Sequence, residues 1–317
     1  MTRKIHIIER GGHTNVILQY LFAAQLASLL GNTIISGTNS HQLPWVMTDG
    51  SLSRWVPSIP LQDTPIIGVT EVLKSRRSFH IKYRAVPSQL SNLPDWASSN
   101  ELIPKVAEPT YLSANDELLI NVRGDEILGR CHPDYGPVPL SFIHATIEGT
   151  GLKPVFLGQL GDDYYSRGLR AQFPKARFIG SGGAYCDFEA IRSAHHILPA
   201  VSTFSWLASW LSCAQSIHLP VLGMLNPEQR NDTWLLPHTE PRYCFYKFPI
   251  RIWNGSNEQV KSVLDGPNTS EIVSNAYLDV LKNRNDVSRA SARSRKLRRF
   301  KNTMYVARLI PQFFGAL

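Results

Sequence analysis

The sequence predicts an α/β protein built on parallel sheets. From residue 111 onward, short apolar runs of the kind found in buried strands alternate with segments whose apolar residues recur at helical spacing. Alternation at this distance favours parallel β-α-β units, in which helices cover both faces of the sheet. The chain has 317 residues, which is enough for two domains of ordinary size.

The N-terminal region begins with a strand and a helix. The segment KIHIIER, residues 4–10, is typical of a strand. The pair Gly11 and Gly12 provides a turn, and Thr14 is a residue type that caps helices. A periodic apolar helix is therefore predicted over residues 16–30.

The remaining elements follow in order along the chain. Strands are predicted at 117–123, 153–158, 176–180, 195–202 and 219–223. Helices are predicted near 138–150, 163–172, 187–194, 204–215 and 269–284. Ligands of such sheets bind beyond the carboxyl ends of the strands. The residues at or just after these ends therefore mark one candidate rim: Arg123, Gly158, Ser181 and Ser202.

Stretches rich in Pro and Ser divide the chain. Residues 84–110 have this composition, and we place the domain boundary within residues 92–109. The expected parts are an N-terminal α/β domain, a second α/β domain, a closing segment with a helix, and a basic and apolar tail, at 1–105, 106–235, 236–284 and 285–317.

The net charge of +8 is concentrated in the tail. Between Lys282 and Arg308 there are ten Lys or Arg residues and one acidic residue, so the rest of the chain is close to neutral. A basic segment followed by apolar and aromatic residues suits an anionic membrane surface. A solvated, partly disordered end is the second interpretation. Nucleic acid is the third, but it is not expected because aromatic platforms and a groove-reading motif are missing.

The composition also predicts the compartment. Gln19, Gln25 and Ser28 interrupt the longest apolar stretch, which falls short of the roughly 20 residues of a membrane span. The N-terminus lacks the apolar core of a secretory signal, so we expect a cytoplasmic protein. Four cysteines without a Cys-x-x-Cys pair favour free thiols in a reducing compartment and no bound metal. They are Cys131, Cys186, Cys213 and Cys244.

Two hydroxyl residues stand near the start of the segment VSTFSWLASWL, residues 201–211. Ser202 and Thr203 lie where a predicted strand runs into a predicted helix, whose first N–H groups have no partner within the helix. Such an end attracts phosphate, but Ser and Thr also cap helices without any ligand. Trp206 and Trp210, four residues apart, are typical of a helix face packed into the core.

Two further segments combine charge with glycine. In INVRGDE, residues 120–126, a strand ends at Arg123, whose guanidinium suits bidentate binding of phosphate, although an Arg–Asp surface pair would use the same residues. In GGAYCDFEAIRSA, residues 182–194, Asp187 and Glu189 begin a helix, where the dipole favours acids. A carboxylate here also has the acceptors that the amino and ring N–H groups of guanine require.

Three segments together resemble a known family. GGHTNVILQYLFAAQLA resembles the opening Gly-Gly-x-x-Asn-x-x-x-Gln-Tyr-x-Phe-Ala signature of the α-1,2-fucosyltransferases, glycosyltransferase family 11. INVRGDE resembles the family's His-x-Arg-Arg-Gly-Asp motif, of which it keeps the second Arg, the Gly and the Asp. VSTFSWLASWL is similar to the family's Ser-Asn-Ser-Thr-Phe-Ser-Trp-Trp segment. The departures are Ile120 and Val122 in place of His and the first Arg, and Ala200 and Val201 in place of Ser-Asn.

The resemblance implies a GT-B-like fold, with two Rossmann-like domains facing a cleft, and an inverting, metal-independent transfer that needs no cofactor. The implied donor is a nucleotide sugar, GDP-fucose by default, held by residues 106–235. The implied acceptor is a cell-surface polysaccharide or a lipid-linked oligosaccharide on the side of residues 1–105. The basic tail then fits an enzyme that works at the inner membrane face. The alternative is a non-catalytic nucleotide- or glycan-binding protein that has kept the fold.

The resemblance also implies roles for single residues. Arg123 is expected to clamp the donor diphosphate, and Asp187 to contact the base. The hydroxyl residues expected to meet the phosphates are Ser202, Thr203 and Ser205. The segment expected to face the cleft contributes Gly11, Gly12, His13 and Asn15. The general base that takes the acceptor proton is open among Asp125, Glu126, His132, Asp134 and His13, of which we single out Asp125, His132 and Asp134.

Overall fold

The chain consists of two compact units. The computed structural model describes residues 3–37, 43–47, 64–124, 127–128 and 132–308. Unit 1 comprises residues 1–103 and 284–317, and unit 2 comprises residues 104–283. Each unit is built around its own sheet, and the strands of both sheets are parallel except for one at the edge of the larger sheet. The predicted α/β class is therefore confirmed.

Unit 1 holds a three-stranded parallel sheet. Its elements in chain order are β1 Arg3–Ile7, α1 His13–Leu30, β2 Thr33–Gly37, α2 Ile66–Lys74, β3 Phe79–Tyr83 and α3 Trp96–Leu102. The strand order is β2-β1-β3, so the chain adds a strand to one side of β1 and then to the other. Strands β2 and β3 are absent from the sequence prediction, although FHIKY of β3 alternates between apolar and polar residues as its burial does.

Unit 2 holds a seven-stranded sheet. Its elements in chain order are β4 Glu117–Val122, α4 Leu140–Thr150, β5 Lys153–Gly158, α5 Tyr164–Gln172, β6 Arg177–Gly180, α6 Ala184–Arg192, β7 His196–Leu198, α7 Thr203–Trp210, β8 Ser216–Val221, β9 Tyr243–Lys247, α8 Asn257–Asp265 and β10 Glu271–Val273. The strand order is β10-β9-β8-β7-β4-β5-β6. Only the edge strand β10 is antiparallel to its neighbour among the described pairs.

The order of these strands creates a reversal beside β4. The chain first builds outward from β4 through β5 to β6, and then returns to place β7 on the opposite side of β4. Counted from β4, the six parallel strands have the order 3-2-1-4-5-6 of the doubly wound Rossmann sheet. From the carboxyl end of β4 the chain continues to β5 on one side, and from the carboxyl end of β7 it continues to β8 on the other side. This edge is therefore the topological switch point of unit 2.

Three predicted elements of unit 2 are corrected by the structure. The strand predicted at 195–202 ends at Leu198, because Pro199 has no N–H to donate to a neighbouring strand. The strand predicted at 219–223 is β8, which starts at Ser216 and ends at Val221. The helix predicted near 269–284 is strand β10 in its first part, and the helix itself begins only at Asn275.

The basic tail is helical over most of its length. Helix α9, Asn275–Arg308, contributes its first turns to unit 2 and the rest to unit 1. Phe300 and Met304 are buried, and Leu297 lies so close to α2 that a Cβ on Gly68 would come within 2.7 Å of it. None of the helices in the described ranges is both long enough and apolar enough to cross a membrane.

A chain of hydrogen-bonded polar side chains crosses three strands of unit 2, and its member His218 is buried. His196 Nδ1 lies 2.8 Å from Ser216 Oγ, which is 3.3 Å from His218 Nε2. His218 Nδ1 in turn lies 3.0 Å from the hydroxyl of Tyr246. Burial, and to a lesser extent the neighbouring His196, lowers the pKa of His218 to about 4. His218 is therefore a neutral imidazole at neutral pH.

This low pKa predicts how stability depends on pH. Between pH 6.5 and 4 the unfolded chain binds a proton at His218 that the folded chain does not bind, so folding stability should fall as the pH is lowered. We expect the free energy of unfolding to decrease by about 3 kcal/mol over this pH range. Urea unfolding at successive pH values measures the decrease. His218→Gln should flatten this part of the profile, whereas His144→Gln, at an exposed position, should not. An unchanged slope in His218→Gln would contradict the assignment.

Candidate functional site

Predicted site residues meet at the switch point of unit 2. Strand β4 runs into Arg123, and β7 runs through residues 199–202 into α7. Because β4 and β7 are neighbours in the sheet, these two chain segments lie side by side. A small pocket lies between them, and its lining includes Arg123, Ala200 and Val201. Of the rim predicted from the sequence, Arg123 and Ser202 thus belong to one site.

A glycine at the end of β5 allows the strands to approach closely here. Gly158 has φ +129°, a backbone conformation that other residues rarely adopt. A Cβ on this residue would collide with the carbonyl oxygen of Val122 at the end of β4. Gly158 therefore keeps the carboxyl edges of β4 and β5 level with each other beside Arg123.

The hydroxyls at the start of α7 hold the helix in place. Ser202 is the N-cap, and its Oγ accepts a hydrogen bond from the backbone N–H of Ser205 at 3.1 Å. Ser205 is fully buried and donates its hydroxyl to Asn121 Oδ1 in β4, while Asn121 Nδ2 donates to Leu157 O in β5 at 3.1 Å. These bonds tie α7 to both strands. Asn121 is not among the predicted site residues, although a single polar residue within the apolar run LLINV is a signal of such a role.

The start of α7 presents positive charge to the switch point. Thr203 and Phe204 occupy the first two helical positions, where backbone N–H groups have no partner within a helix and the helix dipole is positive. The guanidinium carbon of Arg123 lies 5.8 Å from the centroid of the Phe204 ring. A cation next to the N-terminus of a helix is an arrangement that suits a phosphate group.

The two tryptophans of α7 belong to the core. Trp206 and Trp210 are buried, and their rings stack with centroids 5.7 Å apart. Trp206 Nε1 donates to Leu235 O at 2.6 Å, and Trp210 Nε1 donates to Glu240 Oε1 at 2.8 Å. The expectation that they pack the helix against its surroundings is confirmed.

Asp187 organises the loop that precedes α6. Its buried carboxylate accepts hydrogen bonds from Thr110 Oγ1 at 2.6 Å, from Ser181 Oγ at 2.5 Å and from Gly182 N at 3.0 Å. Glycine is required at 182, because a Cβ there would lie 2.6 Å from Thr110 Oγ1. Glu189, one turn on from the helix start, accepts from the backbone N–H of Val106 at 3.2 Å. Both carboxylates thus accept hydrogen bonds from other groups of the protein. Contact of Asp187 with a nucleotide base stays a prediction.

Removal of the Asp187 carboxylate should destabilise unit 2. Asp187→Ala leaves three donors without their acceptor, so we expect the free energy of unfolding in urea to fall by about 2–3 kcal/mol. Asp187→Asn, which keeps one oxygen acceptor, should lose less. Asp162→Ala removes an exposed carboxylate paired with Arg167 and serves as the control, with a change below about 0.5 kcal/mol. Equal stability of the Asp187 and Asp162 variants would contradict this role.

The loop with the predicted acid–base residues is tied to a later segment of unit 2. Asp134 Oδ2 lies 2.8 Å from Arg230 Nη1, and its Oδ1 accepts from Gln229 Nε2 at 3.0 Å. Hydrogen bonds to Asp232 and then to Asp134 raise the pKa of Arg230, so the cation stays charged. His132 is exposed and packs edge-to-face on Tyr135. Asp125 and Glu126 lie outside the residues that the structure describes.

The glycine pair of unit 1 lies at the carboxyl end of β1. Gly11 has φ +83°, and a Cβ on it would come 2.5 Å from Asn15 Nδ2. Gly12 is the N-cap of α1, and His13 and Asn15 are half-buried in its first turn. Gln19, which the sequence analysis did not select, is fully buried. Its side chain accepts from Arg10 N and donates to Ile8 O, both at 3.0 Å, and thereby fixes the connection between β1 and α1.

The metal-binding side chains of the described residues are scattered over the chain, and the cysteines among these residues are free. Within the described ranges, His, Cys, Asp and Glu side chains form no group of three or more that could hold a metal ion. Cys186, Cys213 and Cys244 are free thiols, and Cys131 lies outside the described residues.

Comparison with known proteins yields distant structural similarities. No protein-family model and no curated protein matches the chain. A mutant of Arabidopsis thaliana FUT1 in complex with GDP is 12% identical, with 69% of this chain and 70% of that chain covered and a TM-score of 0.45. A glycosyl transferase family 9 protein from Veillonella parvula is 11% identical, with 90% and 98% covered and a TM-score of 0.44. The iron-containing dodecameric glycosyltransferase TibC from enterotoxigenic E. coli is 11% identical, with 90% and 76% covered and a TM-score of 0.42. Similarity at this level assigns neither a family nor an activity to this chain.

Proposed function

We propose that this chain is a GT-B-like glycosyltransferase that moves a sugar, fucose from GDP-fucose by default, onto a cell-surface polysaccharide or a lipid-linked oligosaccharide. The observation that supports it most is the pairing of Arg123 with the N-terminus of α7 at the switch point of a doubly wound sheet. The three motifs that resemble the α-1,2-fucosyltransferases occur in the family's order, and two of them form this site. We assign the site to the diphosphate of a nucleotide sugar.

The proposed reaction is a single displacement. The acceptor hydroxyl oxygen attacks the anomeric carbon, the bond from that carbon to the diphosphate oxygen breaks, and the nucleoside diphosphate leaves. Negative charge grows on the leaving diphosphate, and Arg123 with the first N–H groups of α7 stabilises it. The hydroxyl proton passes to a general base.

The geometry orders the candidates for these roles. Thr203, at the first helical position, is the hydroxyl residue that we assign to the phosphates, whereas Ser202 and Ser205 act by holding α7 in position. As general base we rank His132 above Asp134, because the Asp134 carboxylate is already bound to a guanidinium. Asp125 is the third candidate, from its place in the motif.

Nucleotide binding tests this proposal directly. The purified protein is heated with GDP, UDP, CDP or dTDP, and the unfolding temperature is followed, since a ligand of the native state raises stability by mass action. We expect GDP to give the largest rise and nucleotide release to require both the sugar donor and a glycan acceptor. If none of the four nucleotides stabilises the protein and no donor is consumed, the proposal is wrong.

A non-catalytic nucleotide- or glycan-binding protein is the second candidate. It is favoured by Ile120 and Val122, which are buried apolar residues of β4 at the positions where the family has His and an additional Arg. With fewer cations, the leaving diphosphate would receive less stabilisation. The two candidates differ in turnover: stable nucleotide-sugar binding without transfer to any glycan acceptor would favour the binding protein.

We further propose that α9 attaches the enzyme to an anionic membrane at the cytoplasmic face. Arg295, Arg298 and Lys301 are exposed on this helix, whereas Phe300 and Met304 are buried, so deletion of the segment would remove core residues. Replacing the three cations by Gln should lower binding to phosphatidylglycerol vesicles by about two orders of magnitude, at roughly 1 kcal/mol per cation.

Vesicle flotation provides the measurement and its control. A second variant with Gln at Arg167, Arg170 and Lys175 removes three exposed cations from unit 2 and should float as the unchanged protein does. Equal flotation of both variants would count against a membrane role for α9. Loss of binding to single-stranded RNA in the α9 variant alone would instead favour nucleic acid as the partner.

A further inference from the structure

A second pocket of unit 2 lies apart from the switch point. It has a volume of about 370 Å³ and is bounded by α4, by strands β8 to β10 and by the loop that precedes β10. It shares no lining residue with the pocket at Arg123. We call it the α4 pocket. Its size lies at the lower end of the range of small-molecule sites, which begins at roughly 300 Å³.

The sheet beneath this pocket is polar where an apolar surface is normal. Strands of a parallel sheet that is covered on both faces usually carry apolar residues on both. Ile217 and Leu219 of β8 follow this rule and are fully buried. On the other face, Ser216 and His218 continue the hydrogen-bonded chain that starts at His196. Polar groups on such a surface are costly unless every one finds a partner, and here the partners are one another, in a chain that runs toward the pocket.

The polar chain ends at the wall of the α4 pocket. Tyr246, its last member, is half-buried and lines the pocket together with His218. The neutral imidazole of His218 has one donor and one acceptor nitrogen, so the Tyr246 hydroxyl either donates to it or accepts from it. In the second arrangement the hydroxyl proton is available to a ligand. The pocket therefore offers a hydroxyl that adapts to a ligand donor or acceptor.

The other hydroxyls of the pocket are left as acceptors. Thr146 Oγ1 donates to Phe142 O at 2.9 Å, and Thr150 Oγ1 donates to Thr146 O at 2.8 Å. Ser270 Oγ donates to Asn268 Oδ1 at 2.8 Å. Each hydroxyl has one hydrogen, so what remains toward the pocket is oxygen lone pairs. Phosphate and carboxylate only accept hydrogen bonds, so these three hydroxyls offer them no donor.

The lining also excludes ionic recognition. In the part of the chain that the structure describes, the residues that line the α4 pocket include neither Lys nor Arg nor Asp nor Glu. A bound anion or ammonium group would have no opposite charge beside it in this partly desolvated pocket, so its binding would be unfavourable. The rings of Phe142 and Tyr246 pack edge-to-face, with centroids 4.9 Å apart, and supply an apolar surface. The ligand must therefore be uncharged, rich in hydrogen-bond donors and apolar on one side.

We propose that the α4 pocket binds an uncharged, polyhydroxylated ligand of the size of one monosaccharide unit. Its hydroxyls donate to Thr146, Thr150 and Ser270, and a further one forms a hydrogen bond with the Tyr246 hydroxyl. Its ring face packs on the rings of Phe142 and Tyr246. This site is separate from the nucleotide site at the switch point and does not depend on the function proposed for it. A neutral sugar residue of a glycan chain has this chemistry.

Saturation-transfer NMR on the full-length protein tests the proposal. The probes are methyl α-D-glucoside, methyl β-D-galactoside and N-acetylglucosamine, with glucuronate and glucosamine as charged counterparts. We expect at least one neutral sugar to bind and the charged ones to bind more weakly. Tyr246→Phe and Thr146→Val should each weaken binding by about five- to tenfold, the effect of one neutral hydrogen bond.

A matched variant in unit 1 controls for the loss of a helical hydroxyl. Thr70 in α2 makes the same bond to a carbonyl four residues earlier, at 2.9 Å, and Thr70→Val should bind the sugar as the unchanged protein does. The proposal is overturned if no neutral sugar binds, if charged sugars bind as well, or if Tyr246→Phe and Thr146→Val leave binding unchanged. GDP binding, measured on the same samples, reports separately on the switch point.

Discussion

Arg123→Ala should weaken the binding of GDP by about thirtyfold, which corresponds to roughly 2 kcal/mol for a charge-assisted hydrogen bond to phosphate. The guanidinium lies beside the start of α7 and lines the switch-point pocket, so its loss removes a charged donor from the site proposed for the diphosphate. Isothermal titration with GDP measures the change. Arg123→Lys keeps the positive charge but loses the planar set of N–H donors of the guanidinium. Its affinity for GDP should therefore lie between that of the unchanged protein and that of Arg123→Ala.

A second arginine provides the control for this experiment. Arg177 also lies over an aromatic ring, that of Tyr111, at 5.4 Å from the centroid. It opens β6, at the amino ends of the strands, and therefore on the opposite edge of the sheet from the switch point. Arg177→Ala should leave GDP affinity unchanged. If Arg123→Ala binds GDP as tightly as the unchanged protein, Arg123 does not contact the diphosphate.

Trp206→Ala should lower the free energy of unfolding by about 4 kcal/mol, as large-to-small changes at buried aromatic positions do. Trp206 is fully buried, stacks on Trp210 and donates its indole N–H to Leu235 O. The change would leave a cavity behind α7 and free a buried carbonyl. Urea unfolding at neutral pH measures the loss.

Trp206→Phe separates packing from hydrogen bonding. Phenylalanine keeps most of the buried ring but has no N–H, so we expect a loss of about 1–2 kcal/mol. Ile252→Ala, at an exposed site, should be close to neutral. A loss in Trp206→Ala no larger than that of Ile252→Ala would show that α7 is not anchored through this ring.

Elements with a strong local pattern could be predicted, and those held by distant partners could not. Strand β5 and helix α5 lie within a residue of their predicted bounds, because their apolar spacing and flanking residues act locally. Strand β9 is missing from the prediction, and β10 was taken for part of a helix. Both strands lie at one edge of the sheet and exist through pairing with each other and with β8.

The same division applies to the candidate site. The motif residues Arg123 and Ser202 could be selected because each follows a strand end in the sequence. Asn121 and Gln19 were not selected, because a polar residue within an apolar run indicates that it has a partner but not which backbone or hydroxyl groups lie opposite it. Asp187 was assigned to a base on the strength of a resemblance, whereas the structure shows three protein donors around its carboxylate.

The α/β class, the apolar strands, the cap at Ser202 and the position of Arg123 just after a strand can all be predicted from the sequence. These depend on spacing and on interactions between residues close together in the chain. The pairing of β7 with β4, which brings Arg123 to the start of α7, is visible in the folded chain alone. Pairing between strands is a contact between distant residues, and it is selected by burial of the whole sheet rather than by any local segment.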